Sequence, residues 1–401
     1  MTSICFYFQV HQPARLDQSF SFFDLGTGRP HRDERANREI MNKVADKCYI
    51  PSNRMMLDLI EQHRGKFRIA YSITGVALEQ MQEFRPDVLD SFRRLADTGC
   101  VEFIGETYYH SLSFLFSRKE FRRQVKQHRD VIKDFFGMET RTFRNTELIY
   151  NNDLAREIER LGFSTILAEG ADQVLGWRSP NFAYQPAGCY KLKTLLKNYR
   201  LSDDIAFRFS DRNWDQWPVS ADTFARWVHA TAGTGETINL FMDYETFGEH
   251  QWADTGIFEF FRALPDMLMK HGDFAFRTPA EASAISDPVA QLDVPYFTSW
   301  ADLERDISAW LGNPMQDAAA ELAYSLEEKV LACDDDEVIA TWRELLTSDH
   351  FYYMCTKWFS DGDVHKYFNP YPTPHQAFIT YMNVLNDIAL TIERQTADKA
   401  A

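Results

Sequence analysis

Six cysteines in 401 residues (positions 5, 48, 100, 189, 333 and 355) are scattered, and none forms a CxxC pair. They read as reduced, mostly buried thiols of a cytosolic chain, not as a disulfide framework or a zinc site. No apolar run approaches ~18 residues, so no membrane span is expected. The opening MTSICFYFQVHQP has no basic segment and no small-residue cleavage site, so no signal peptide is expected either. Basic residues are in deficit, 43 against 59 acidic, for a net charge of −16. Such a field repels nucleic acid and anionic membranes and leaves a neutral substrate admissible. Several chemical motifs are missing as well. There is no GxxxxGK[ST], no GxSxG and no HExxH. The two GTG tripeptides, at 26–28 and 233–235, read as turns, and the second precedes a strand, the wrong order for a dinucleotide site. No cofactor is expected.

Aromatic residues are plentiful, 14% of the chain with 32 Phe, 17 Tyr and 9 Trp. Core packing uses most of the Phe; Trp and Tyr beside a cleft would suit the flat apolar faces of sugar rings. Short apolar runs recur at 4–8, 67–73, 101–104, 142–143, 165–167, 205–209, 238–242 and 274–276. Several are continuous, as in strands covered on both faces. Helical patterns alternate with them at 54–63, 86–97, 120–136 and 152–161, the second opening on a proline that a first helical turn tolerates. Seven or eight strand–helix units over some 280 residues predict an α/β fold with a parallel barrel. Beyond the connector SDPVAQLDVPYFTSW at 286–300 the spacing predicts helices at 301–311, 317–331, 336–346, 350–359 and 375–392, and no strands. The expected division is therefore a barrel over 1–285 and an all-α domain over 286–401.

In such a barrel, functional groups project from the carboxyl ends of strands and the loops after them. His11 follows the first run, Glu102 and Glu106 lie in and after the third, and Glu147, Glu169 and Asp243 end later ones, while Asp203 and Asp204 precede 205–209. Taken singly, each acid is better explained by a salt bridge or a helix cap than by catalysis. Taken together, they predict a ring of acids at one mouth. Tyr108, Tyr109, Tyr150, Trp177, Trp214, Trp217, Tyr244 and Trp252 occur at the same loops, with Trp214, Trp217 and Trp252 as candidate sugar platforms and His250 beside the last. Two carboxylates with aromatic platforms meet the needs of glycoside chemistry. In INLFMDYETFGEHQW (238–252) this reading narrows the acid to Asp243 or Glu245 and no further. A metal-dependent, deacetylase-like hydrolase using His11 and Asp243 as ligands, and a non-catalytic sugar-binding protein, remain alternatives.

HQP at 11–13, GCVEFIGETYYHSL at 99–112, FRNTELIY at 143–150 and LFMDYETFGEHQW at 240–252 resemble four signature regions of glycoside hydrolase family 57, and SDHFYYM at 348–354 a fifth. The similarity is greatest to the family's α-amylase-like members. The resemblance implies a distorted (β/α)7 barrel with a helical domain that helps close the site, and a retaining, metal-independent mechanism on α-glucans such as starch, glycogen or maltooligosaccharides. It implies Glu147 as nucleophile and Asp243 as general acid/base, His11 and Glu102 near the reactive sugar, and Asp349 reaching in from the helical domain. Gln12, Arg144 and Glu245 would support the catalytic pair. Hydrolysis is the expected reaction, with 4-α-glucanotransferase or branching activity on the same site as the alternative.

Overall fold

The computed structural model describes residues 1–357 and 369–400. Its first strand, β1 (Thr2–Val10), is TSICFYFQV, and all nine residues are buried. An apolar and β-branched segment of this kind is stable only where both faces are covered. Parallel neighbours flank it: β2 (Ile69–Ile73) on one side and β8 (Thr237–Asp243) on the other. The remaining strands are β3 (Val101–Phe103), β4 (Thr142–Arg144), β5 (Thr165–Glu169), β6 (Ala183–Pro186), β7 (Lys193–Lys197), β9 (Phe274–Phe276) and β10 (Gln291–Leu292). All pairings are parallel except β6 with β7.

The pairings form a circuit. From β1 they pass to β2 and β3, then through a parallel bridge between Gly105 and Phe143 to β4. They continue through β5 and β7 to β8, which returns to β1. Register aligns the strand ends: Gln9 lies opposite Asp243, and Glu169 opposite Lys197. On one face Cys5, Tyr7, Ile104, Leu167, Leu195 and Phe241 pack together. On the other, Ile4, Phe6, Phe8 and Val10 pack against helices such as Ile50–Gln62 and Ile257–Met269. The helices start where their sequences supply caps. Asn151 accepts from Leu154 N ahead of Asn152–Arg160, and Ser117 from Glu120 N ahead of Arg118–Phe136.

Most of the expected runs are strands, with one exception. Residues 205–209 end the helix Tyr199–Ala206, capped by Asn198, and do not form a strand. β6 and β7 escaped the pattern because YQP and KTLLK are short and polar-flanked. The tiny β10 lies in what had read as connector. Segment 301–311 is a series of turns, not a helix, with Asp302 and Arg305 in left-handed backbone conformations. Further on, Pro314–Ser325 with Glu327–Ala332, Asp336–Leu345 and Pro374–Ala400 answer the helices expected at 317–331, 336–346 and 375–392, and a short helix, Ser348–Tyr352, lies before the last. The helix expected at 350–359 is found only at 350–352; residues 353–357 are turn and irregular chain, and 358–359 lie outside the described residues. These helices share a second core, around Trp310, Trp342 and Leu385, with Leu16, Phe20, Leu112 and Ile149 from the loops after β1, β3 and β4. The helical segment thereby sits over the carboxyl ends of the strands.

Candidate active site

At those carboxyl ends lies a cavity enclosing about 1240 Å3 of empty space, its open mouth included. Strand termini supply Gln9, Arg144, Lys197 and Asp243, and the following loops supply His11, Gln12, His110, Glu147, Glu245 and His250. Asp349 arrives from the helical segment. That arrival is built by hydrogen bonds: Ser348 N donates to His110 O at 2.9 Å, and the Thr347 hydroxyl donates to Tyr109 O at 2.8 Å.

Glu147 sits in a tight turn with φ of +56°, followed by Leu148 at +50°. A left-handed conformation in such side chains costs ~1–3 kcal/mol and persists where surroundings enforce it. Here both carboxylate oxygens are held. Trp300 Nε1 donates to Oε2 at 2.7 Å, and His110 Nε2 lies 2.9 Å from Oε1. His110 Nδ1 lies 3.3 Å from the Glu106 carboxylate, which Gln9 Nε2 also reaches. Burial alone would lower the proton affinity of His110, but its bonds to Glu106 and Glu147 prevail and raise its pKa to about 9. His110 is thus an imidazolium donating to two acids.

His11 stacks on His110 at 4.2 Å between ring centroids and behaves oppositely. Burial, reinforced by the neighbouring imidazolium, lowers its pKa, so it is neutral. Its Nε2 donates to Asp349 at 3.1 Å, and its Nδ1 accepts from the Thr74 hydroxyl at 2.8 Å. Burial works against the charge on Asp349, yet His11 and the nearby histidines hold its carboxyl well below the usual range.

Asp243 ends β8 and is partly exposed to the cavity. Two residues on, Glu245 is buried and accepts from Tyr49 OH at 2.5 Å and Gln12 Nε2 at 3.3 Å. Burial first, and then the charge of Asp243, push its pKa up to about 8. Arg144 is fully buried, and none of its guanidinium nitrogens has a hydrogen-bond partner among the described residues. It rests 4.8 Å from the centroid of the Trp300 ring.

Of the residues expected from sequence, Glu147, Asp243, His11, Asp349, His250, Gln12, Arg144 and Glu245 therefore share the cavity. Glu102 does not. It lies at the opposite end of the sheet, in register with Ala70, and caps the helix Pro279–Ile285 by accepting from Ala280 N at 2.9 Å. The acid from that region that reaches the site is Glu106, with His110. Tyr109, Trp214, Trp217 and Trp252 also do not line the cavity. Tyr109 is buried against Tyr108. Trp214 packs on Trp227, and Trp217 lies under Arg212. Trp252 is 55% exposed. The aromatic lining consists instead of Phe207, Phe241, Trp300, Tyr352 and Tyr353. Sequence reasoning passed over His110, Lys197 and Trp300. The histidine stood in a quoted motif, whereas nothing local marked the other two.

Among the described residues, the group that could hold a metal ion is His11, His110 and Asp349, whose ligand atoms lie within 4.8 Å of one another. Asp243 is not part of it, contrary to the metallohydrolase expectation. Ligation would require His110 to surrender a proton and its bond to Glu147 or to Glu106, so these residues fit a hydrogen-bonded network better than a cation.

The family model "Glycosyl hydrolase family 57" matches residues 5–295. A Methanocaldococcus jannaschii protein provisionally named an alpha-amylase is 45% identical over 98% of this chain and 85% of its own length. Among solved structures, a branching enzyme of Thermococcus kodakaraensis superposes with a TM-score of 0.69 at 14% identity, over 98% of this chain and 91% of that one. The 4-alpha-glucanotransferase of Thermococcus litoralis gives 0.64 at 15% identity; the match covers 87% of this chain but only 56% of that enzyme. Those two likenesses establish the fold alone, whereas the family match spans most of the chain. The chain belongs to glycosyl hydrolase family 57.

Proposed function

We propose that the chain is a retaining, α-amylase-like hydrolase of α-1,4-glucans, acting by double displacement. We read the closed circuit of parallel strands as a distorted (β/α)7 barrel over 1–285, and 286–401 as a helical domain that closes the site and contributes Asp349. One observation carries the reading. Glu147 is held in a strained turn with donors on both oxygens, in the same cavity as the partly exposed Asp243. Such a carboxylate is oriented, anionic and ready to attack. In the first step Glu147 bonds to the anomeric carbon, the glycosidic bond breaks, and Asp243 gives its proton to the departing oxygen. In the second, Asp243 takes a proton from water, whose oxygen displaces Glu147 with a second inversion. Sugar hydroxyls would satisfy the unpartnered guanidinium of Arg144, and Phe241, Tyr352 and Tyr353 would face the apolar sides of the rings.

The test is product analysis on linear and branched α-glucans, with anomeric configuration followed by NMR. Retention is expected, with shorter α-configured products. Glu147→Gln should lose nearly all turnover, while Asp243→Asn should spare the first step on substrates with good leaving groups. Wild-type hydrolysis by Glu147→Gln would remove the nucleophile assignment. Products longer than the substrate would instead make the chain a glucanotransferase or branching enzyme.

A further inference from the structure

Trp300 stands in a segment that read as a connector, 57 positions after Asp243, yet its indole touches Glu147 directly. Three independent features fix it. Its backbone N–H donates to Glu147 O at 3.3 Å, so main chain and side chain grip the same residue. Its ring has two cations nearby, the Arg144 guanidinium 4.8 Å and Lys197 Nζ 5.3 Å from the centroid. Its carbonyl accepts from Arg305 Nη1, whose guanidinium also approaches Glu169 at 3.8 Å and Asp203 at 3.6 Å. The turns of 301–311 thus have a purpose: left-handed Arg305 folds back under Trp300 and ties it to Glu169 at the end of β5 and to Asp203 within the helix after β7.

We propose that Trp300 is a positioning residue for the nucleophile, with its indole N–H fixing the orientation and the charge of the Glu147 carboxylate. The inference rests on Glu147 being the nucleophile. A hydrogen bond to the ionised form favours that form, so the indole keeps Glu147 anionic. Whichever oxygen bonds to the sugar, the other retains a donor, Trp300 or His110. When the glycosyl ester breaks and the electron pair returns to the carboxylate, that donor stabilises the charge reappearing on it. The two cations near the electron-rich ring face restrain it from swinging away.

The experiment is Trp300→Phe, which keeps an aromatic ring and removes the N–H. The expected kcat loss is on the order of 100-fold, as for removing one preorganised donor to a reacting oxygen, with KM changed less than about threefold. The acid limb of the kcat/KM profile should move up by about one pH unit. Carboxyl 13C NMR of glutamate-labelled protein, with Glu147→Gln assigning the resonance, should show the same upward move in the Glu147 titration. Unchanged titration and an unchanged acid limb in Trp300→Phe would overturn the proposal. Should that variant fail to fold, the indole N–H signals of the otherwise unaltered protein decide. One tryptophan signal should shift on Glu147→Gln, and if none does the contact is refuted. If Glu147→Gln instead keeps full turnover, the proposed function fails, while the NMR titration still judges the indole contact.

Discussion

His110 gives a prediction whose size can be worked out. Its side chain is buried between Glu106 and Glu147, and its pKa stands at about 9 against an ordinary 6.5. At ~1.4 kcal/mol for each tenfold change in proton affinity, that rise is worth about 3 kcal/mol of folding stability. The sign follows from proton linkage. The folded state binds the proton more tightly, so the contribution is complete below pH 6.5 and is lost as pH rises through 9. His110→Gln keeps a donor for one carboxylate and cannot titrate. Urea unfolding of both proteins at pH 6 and pH 10 isolates the effect, because Glu245, also raised and titrating in this window, is common to both. Wild type should lose about 3 kcal/mol more than the variant across this range. The variant should also be weaker at pH 6, because two buried carboxylates then share one neutral donor. Parallel pH dependence in the two proteins would refute the imidazolium bridge and, with it, the account of how Glu147 is held.

Two further perturbations test other parts of the site. Arg144→Met removes a buried charge that has no hydrogen-bond partner among the described residues, so unfolding free energy should change by no more than about 1 kcal/mol. Its glucan kcat/KM should nevertheless fall at least about tenfold; a large loss of stability with normal kcat/KM would assign the guanidinium a purely structural role. Gly248→Ala should destabilise the chain by about 3 kcal/mol or more by thermal or urea unfolding, because φ is +105° and the new Cβ would fall 2.0 Å from Lys47 O. A variant as stable as wild type would show that this loop can move away from the helix it touches.

Much of the architecture was legible because continuous apolar runs and amphipathic helices report directly on burial. Residues 4–8, 67–73 and 238–242 could hardly be anything but covered strands, and 86–97 matches its helix end for end. Legibility fell where tertiary partners decide. Segment 301–311 has helical spacing, but Arg305 gains more by reaching Glu169, Asp203 and the Trp300 carbonyl than a local helix would give. The same limit applies at the site. Residues at or just after strand ends (Asp243, Glu147) were found because the strand points at the mouth. Glu102 misled because it sits inside a run at the other end, where a carboxylate caps a helix just as well. The aromatic expectation failed for a related reason. Trp and Tyr beside acids in sequence need not face the cleft, and Trp177, 95% exposed, and Tyr244, fully buried, end at opposite extremes.

Local structure also supports Asp243 over Glu245 as the proposed acid/base. Had β8 continued, both carboxylates would point the same way and compete for one role. Instead the strand stops at Asp243, and Tyr244–Thr246 forms a 3-10 turn that buries Tyr244 against Tyr71 and Tyr49. That turn delivers Glu245 to Tyr49 and Gln12, away from water, while Asp243 keeps partial exposure. An acid/base must exchange protons with water and with a leaving oxygen on every turnover, which favours the exposed member of the pair. Glu245, its pKa pushed up to about 8, is neutral at neutral pH. Were both ionised, their repulsion would raise the cost of each negative charge that Asp243 carries when it has given up its proton. A neutral Glu245 avoids that cost, and burial and the charge of Asp243 hold it so, outweighing the Tyr49 and Gln12 donors that favour its ionised form.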